Sequence, residues 1–363
     1  MTIGLCDSMQ PLDSPHITRA ISWLKSQQHT GPNGDWRVYN PNLEPGGFSF
    51  GADNTWYPDL DDTAAVILSL LKQDPTSAAS VTVTRAAEWL LGMQNRDGGF
   101  GAFDSNNNAL FMNKIPFSDM DALCDPSWSD VTGRVLEAFG MLLNSPNRDQ
   151  IKRNLLPRIK LSSIRAIEFI AFEQVKNTGA WYGRWGCNYI YGTSGVLCGL
   201  SYFTKCTLEP FLDGHSHQFE NLKAPLAPSP NCYLTYSSQL AQSLVPQALS
   251  FLKSCQNPDG GWGETLETYR YPELAGKGKS TPSQTAWALM GLMAYLSPED
   301  ETVVKGIRYL LTTQVVMDEG GKSWKETVQT ACGFPNFYFM GYDYYRHYFP
   351  MMALGRYARA LTA

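Results

Sequence analysis

Apolar residues fall in blocks rather than in strict alternation. Ala64-Ala65-Val66-Ile67-Leu68-Ser69-Leu70-Leu71 is the first such block, and its length predicts an amphipathic or buried helix. Residues 131–143, 192–203 and 282–295 read as further apolar helices. Between these blocks a second pattern recurs: a small residue, an aromatic-aliphatic pair, a Gln, then a Gly-rich turn closed by an aromatic. The copies are Ala20…Trp23-Leu24…Gln27 to Gly34-Asp35-Trp36, Ala86…Trp89-Leu90…Gln94 to Gly98-Gly99-Phe100, and Ala166…Phe169-Ile170…Gln174 to Gly179-Ala180-Trp181. Two more follow as Ala248…Phe251-Leu252…Gln256 to Gly260-Gly261-Trp262 and, slightly stretched, Gly306…Tyr309-Leu310…Gln314 to Gly321…Trp324.

This self-similarity predicts a repeat architecture. In each copy the aromatic and aliphatic residues seat one helix, and the glycines let the chain leave it at positive φ. The Gln can bond backbone groups of the adjoining turn while the closing aromatic packs beneath. Two helices per repeat, repeated five or six times, predict an all-α fold: a double-layered α/α barrel occupying the whole chain, 1–363, as a single domain. The motifs themselves staple helices and carry no chemistry. Copies stand about 60 to 80 residues apart, longer than simple solenoid repeats. The excess between the third and fourth copies, at about 206–245, contains His215, His217, Pro225, Pro228 and Pro230 and reads as an irregular insertion able to cover an open end of the barrel. Asp213-x-His215-x-His217 lacks a supporting ligand set and reads as an exposed polar loop.

A hydrophobic content of 43% in 363 residues predicts a globular chain with a substantial core. A net charge of −5 without a basic block argues against nucleic acid as a partner. Eight scattered cysteines, with no C-x-x-C pair, suit idle thiols in a reducing cytosol. No signal peptide and no membrane-length apolar run is visible. A cytoplasmic location is therefore expected, with peripheral membrane contact left open. The outlier is aromatic content: 10 Trp, 18 Tyr and 17 Phe.

The chemically distinctive stretch is Asp59-Leu60-Asp61-Asp62-Thr63-Ala64, placed between Pro58 and the first apolar block. Pro58 and Asp59 read as a helix start with Asp61 and Asp62 in its first turn. One reading is simple capping, since free N–H groups and the helix dipole favour anions there. The other is a carboxylic acid kept protonated beside like charges, which among aromatics could protonate a hydrocarbon double bond.

With the repeats, this stretch resembles the squalene–hopene cyclases, class II terpene cyclases, over nearly the whole chain. The resemblance includes Gly46-Gly47-Phe48-Ser49-Phe50, Gly183-Arg184-Trp185-Gly186, Asn188-Tyr189-Ile190-Tyr191-Gly192 and Ser280-Thr281-Pro282-Ser283-Gln284-Thr285-Ala286-Trp287. It extends to Gly333-Phe334-Pro335, Tyr345-Arg346-His347…Phe349-Pro350 and Leu354-Gly355-Arg356-Tyr357. The family implies a double-layered α/α barrel, in agreement with the repeats. Family members have two barrels around their cavity, and this chain resembles only the one carrying the Asp motif. Single-domain class II cyclases that act on prenylated aromatic acids are similar in length, which makes a geranylgeranyl-dihydroxybenzoate-like substrate the first expectation and squalene the second.

The resemblance implies Asp61 as proton donor, with Asp59 and Asp62 holding and reloading its proton. Arg134 stands where the family has a His beside the acid; it would stabilise the conjugate base or hold an acidic substrate head group, with Asp130 as its structural partner. Carbocations need aromatic faces, each contributing about 0.5–2 kcal/mol when desolvated. Family position suggests Phe50, Phe103, Trp185, Phe334 and Tyr338, the last where Phe is commoner, with Phe117, Tyr191, Tyr342 and Tyr345 lining or supporting. No metal or cofactor is required, and the D-D-x-x-D pattern of metal-dependent terpene synthases is absent. The expected partner is a small polyprenyl or prenylated aromatic molecule, with no obligatory protein partner. Two other classes remain open: a zinc-dependent protein prenyltransferase β-subunit, and a non-catalytic lipid-binding barrel.

Overall fold

The computed structural model describes residues 1–362 except 52, 205–229 and 318–319. Eleven α-helices are present among them: α1 (Thr2–Asp7), α2 (Pro15–Ser26), α3 (Leu60–Gln73), α4 (Val81–Gly92), α5 (Ser129–Leu143), α6 (Leu155–Glu173), α7 (Tyr189–Thr204), α8 (Pro230–Ser254), α9 (Pro282–Met293), α10 (Glu301–Thr312) and α11 (Tyr345–Thr362). Contacts run α3 to α5, α5 to α7, α7 to α9, α9 to α11, α11 to α1 and α1 back to α3, closing an inner ring of six. The remaining five lie outside, α4 against α3, α6 against α5, α8 against α7, α10 against α9 and α2 against α3. The structure is the α/α barrel that the repeats predict.

Burial follows the layer. Every residue of α9 from Pro282 to Leu292 is buried, as an inner helix walled on all sides requires. In outer α10 only Val303, Gly306, Ile307, Tyr309 and Leu310 are buried, one apolar stripe with a polar back.

The repeat motif works as a double staple. Gln94 Nε2 donates to the Gly98 carbonyl at 2.7 Å and to Ser162 O of the next outer helix at 2.9 Å. Gln174 bonds Gly179 O and Leu244 O, and Gln256 bonds Gly260 O and Thr302 O, in the same way. The first copy differs from the sequence reading. Its stapling residue is Gln28, not Gln27, and its glycine turn is at Gly46, whose carbonyl and that of Thr82 accept from Gln28 Nε2 at 2.9 Å. Gly34-Asp35-Trp36 lies within the intervening loop, its tryptophan buried edge-on against Trp89. The fifth copy keeps its tryptophan: Trp324 Nε1 donates to Leu310 O, as Trp181 does to Ile170 O and Trp262 to Leu252 O.

A further regularity is not visible in the motif. In the first four copies the N–H of the closing aromatic donates to a threonine hydroxyl on the following inner helix: Phe48 to Thr63 at 2.8 Å, Phe100 to Thr132 at 3.0 Å, Trp181 to Thr193 and Trp262 to Thr285 at 2.9 Å. These bonds fix the height of four inner helices relative to their turns.

The glycine turns are tight. Gly260 has φ +87°, and a Cβ there would lie 2.6 Å from the Lys305 carbonyl oxygen. Gly260→Ala is expected to lower the unfolding free energy by roughly 2–4 kcal/mol, from left-handed backbone strain and overpacking together. Denaturant unfolding of the variant measures this.

The irregular insertion expected at about 206–245 is corrected at its C-terminal part, which is helical. Residues 205–229, with His215, His217, Pro225 and Pro228, lie outside the described residues, whereas 230–245 belongs to α8. Pro230 is that helix's first residue, where a missing N–H costs nothing. No helix among the described residues is long and apolar enough to cross a membrane.

Candidate active site

The first turns of the inner helices meet at one end of the barrel, and the threonine bonds set what they present there. The residue two before each bonded threonine is Asp61 on α3, Asp130 on α5, Tyr191 on α7 and Ser283 on α9. Buried or half-buried carboxylates serve the free N–H groups of these turns, as the helix dipole favours. Asp59 accepts from Asp62 N at 2.8 Å, Glu264 from Ile190 N at 2.8 Å, and Glu326 from Ser283 N at 2.9 Å. The capping reading of Asp59 is thus correct as far as it goes.

The three aspartates have different surroundings. Asp59 is buried, fixed by its bond to Asp62 N and by pairing of the short strand Pro58–Asp59 with Phe48–Ser49. Burial, with the charges of Asp62 and Asp61, raises its carboxyl well above the usual range. Asp62, half-buried, is pushed up to about 7 by desolvation and by Asp61, against the pull of Arg134. Asp61 is the accessible member, its side chain 36% exposed, and its Oδ1 accepts from Arg134 Nε at 3.3 Å. Burial works against the Arg134 charge, but Asp61, Tyr191 and Glu137 more than offset this, and the guanidinium stays protonated. The cluster therefore holds protons near neutrality while keeping a fixed cation against Asp61.

Asp130 corrects one expectation. It is not the partner of Arg134: its Oδ2 accepts from Trp185 N at 2.9 Å and its Oδ1 from Val131 N at 3.0 Å. Placed in the first turn of α5, it is bound to backbone N–H groups, and burial raises its carboxyl to about 6. Its geometry positions Trp185. Arg134 instead divides itself between Asp61 and Glu137, whose Oε2 lies 3.6 Å from Arg134 Nη1.

The aromatic candidates form two groups. Phe50, Tyr342 and Tyr345 are linked by ring separations of 6.0 and 4.9 Å, and Tyr345 continues through Trp287 to Tyr191 at 6.0 and 4.8 Å. Burial and the Asp61 charge both raise the Tyr191 phenol, so it stays neutral beside the acid. The second group joins Phe103 edge-on to Trp185 at 6.0 Å, with Phe334 nearby. Between them sits Arg184, which sequence reading did not single out. Its buried guanidinium lies 4.2 Å from the Trp185 ring centroid and 5.8 Å from those of Phe334 and Trp128. One face of Trp185 is thus already occupied by a cation. Tyr338 is exposed and packs near Gly333, and Phe50 is 68% exposed despite its ring contact. Phe117 is not brought into either group: it is 89% exposed on the long segment between Phe103 and Asp130, held by solvent-accessible turns rather than by the core.

This constellation coincides with a family assignment. The chain matches the squalene-hopene cyclase C-terminal domain family over residues 1–222 and 233–359. The chain belongs to that family. Among squalene–hopene cyclase relatives it is 45% identical to the squalene hopane cyclase afumA of Aspergillus fumigatus, over 86% of this chain and 42% of that protein. It is 44% identical to the terpene cyclase-glycosyl transferase fusion protein fsoA of Humicola fuscoatra, over 94% of this chain and 23% of that one. The chain spans half or less of the length of the curated relatives it matches. In fold it is similar to the type II terpene cyclase MstE from Scytonema, solved in complex with geranylgeranyl dihydroxybenzoate, with a TM-score of 0.59 and 14% identity over 99% of this chain and 86% of that one.

Sequence reading missed Glu137, Glu264 and Glu326. Glu137 had a signal, standing three residues after Arg134 on a helix and so on the same face. Glu264 follows the fourth glycine turn, and Glu326 has no local signal, since its partner Ser283 is distant in the chain.

Proposed function

We propose that this chain supplies the proton-donating barrel of a class II terpene cyclase, which cyclises a linear polyprenyl chain without changing its composition. The observation that carries this reading is the Asp61–Arg134 pair within a trio of carboxylates whose other two members are raised by burial and mutual charge. Asp61 gives its proton to one carbon of a double bond; the O–H bond breaks, a C–H bond forms and the neighbouring carbon becomes cationic. Arg134 holds the resulting carboxylate. Each further double bond attacks the cation in turn, closing rings, and loss of a proton to a base ends the cascade. Tyr191, Tyr345 and Trp185 offer aromatic faces to the moving charge at about 0.5–2 kcal/mol each.

Among substrates, a squalene-like triterpene precursor has the stronger support, because relatives named as squalene cyclases are 35–45% identical to this chain. This reverses the order expected from length. The prenylated aromatic acid rests on likeness of fold alone, and Arg134, engaged by Asp61 and Glu137, is poorly placed to take a substrate carboxylate.

The test is incubation of the purified chain, with EDTA, with squalene and separately with geranylgeranylated dihydroxybenzoate, followed by mass spectrometry and NMR. A cyclised isomer of squalene is the expected result. Cyclisation of the aromatic substrate alone would reverse the substrate order, and conversion of neither would overturn the reading for this chain.

A further inference from the structure

Arg134 is the first rung of a ladder of alternating charge that runs from the acid to the opposite end of the barrel. Glu137, buried on α5, receives Arg134 Nη1 on one side and Arg356 Nη2 of α11 on the other, at 3.6 and 3.5 Å. Arg356 Nε lies 3.3 Å from Asp7 Oδ2 of α1. Asp7 also pairs with Lys72 of α3 at 2.9 Å and with Arg359. A cavity of about 250 Å³, lined by Lys72, Glu137, Tyr202, Arg356 and others, lies against this far end. Four cations face two anions, so the ladder is net positive before Asp61 is counted, and becomes better balanced when Asp61 gives up its proton. Arginine does not deprotonate in proteins, so the ladder passes on charge and not protons.

We propose that Glu137 and Arg356 are positioning residues that set the acidity of the Asp61 site through Arg134, with opposite signs. Glu137 draws Arg134 away from Asp61 and so favours the protonated acid, while Arg356 restrains Glu137 and favours the carboxylate. The inference rests on Asp61 being the proton donor. The groups facing Arg134 and the trio are the Met1 amine before α1, Asp59 beside α3, Asp61 and Asp62 on α3, Asp125 before α5, Asp130 and Glu137 on α5, Tyr191 and Cys198 on α7, Tyr342 before α11, and Tyr345, Tyr348 and Arg356 on α11. The tyrosines and Cys198 are raised by burial and stay neutral through the working range. Near neutrality the carboxylates respond, together with the Met1 amine, which burial lowers from its ordinary 8.0 and which both variants share unchanged.

The experiment is a pH titration of the Arg134 Nε–H resonance in the ¹⁵N-labelled full chain, the resonance being identified by its loss in Arg134→Lys. In Glu137→Gln the midpoint is expected to fall by about one pH unit, and in Arg356→Gln to rise by a similar amount. The alkaline limb of kcat should move in the same two directions, costing Glu137→Gln about tenfold in rate at neutral pH with KM unchanged. Glu137→Asp should restore most of it. A purely structural role would lower thermal stability in both variants without opposite shifts; midpoints that stay put, or move the same way, overturn the proposal. Arg356→Gln leaves Asp7 paired with Lys72 and Arg359, so that arm decides the matter if Glu137→Gln does not fold. If the unchanged chain converts no polyprenyl substrate, the proposed function falls, and the resonance still decides the coupling.

Discussion

Asp61→Asn is expected to lower the cyclisation rate by about ten-thousand-fold, at the upper end of what a general acid contributes, while leaving the barrel folded. The carboxamide is nearly the same shape but has no proton acidic enough for an alkene. Asp59 cannot substitute, because it is buried and its oxygen is committed to Asp62 N. Asp62 faces the Arg134 charge less directly, and the ion pair to Arg134 is made by Asp61. Stability should change by less than roughly 1 kcal/mol, since the pair lost is partly solvent-exposed and Arg134 retains Glu137. Single-turnover kinetics alongside thermal unfolding separates the two effects. Residual activity above a tenth of the original would move the donor role to Asp59 or Asp62.

Asp7→Asn should do the reverse, with its largest effect on stability: a loss of about 3–5 kcal/mol, the usual consequence of removing one partner from a buried ionic cluster. Its side chain is fully buried and receives Lys72, Arg356 and Arg359, joining three inner helices. Burial pushes the Asp7 carboxyl up, but Arg356 and Lys72 pull it further down, so it lies below its ordinary 3.8. A depressed carboxyl contributes stability that is complete above its unfolded value and is lost as pH falls through the folded one. Urea unfolding should therefore show the unchanged chain losing stability on acidification below about pH 4, with that acid-dependent loss much reduced in Asp7→Asn. An unchanged acid limb in the variant would remove Asp7 from the account.

Local rules made much of this architecture readable. Asp59 caps α3 where the Pro58-Asp59 signal put the helix start, and the Gln staples of the second to fourth copies recur because Gln and Gly are only four or five residues apart in each. The first copy was misread because Gln28 and Gly46 stand eighteen positions apart, and a nearer Gln and a nearer Gly offered a false register. Asp130 and Arg134 stand one helical turn apart, which favours a pair on an exposed helix. In the barrel the backbone N–H of Trp185, fifty-five residues away, claims Asp130 instead. The charge ladder was hidden for the same reason: Asp7 and Arg356 lie at opposite ends of the sequence, and only ring closure brings them together. Family position suggested the aromatic set but not Arg184 over Trp185, nor the exposure of Phe117, since neither is a property of local pattern.

The threonine bonds have one more consequence. Four helices enter the ring through one backbone joint, so Asp61, Asp130, Tyr191 and Ser283 occupy interchangeable seats around a common axis. What distinguishes the seat of the acid is its upholstery: a guanidinium across the gap, a carboxylate behind and phenols at the sides. The scaffold is modular at the level of single side chains, and relocating the acid to another seat would call for a new entourage but no new backbone.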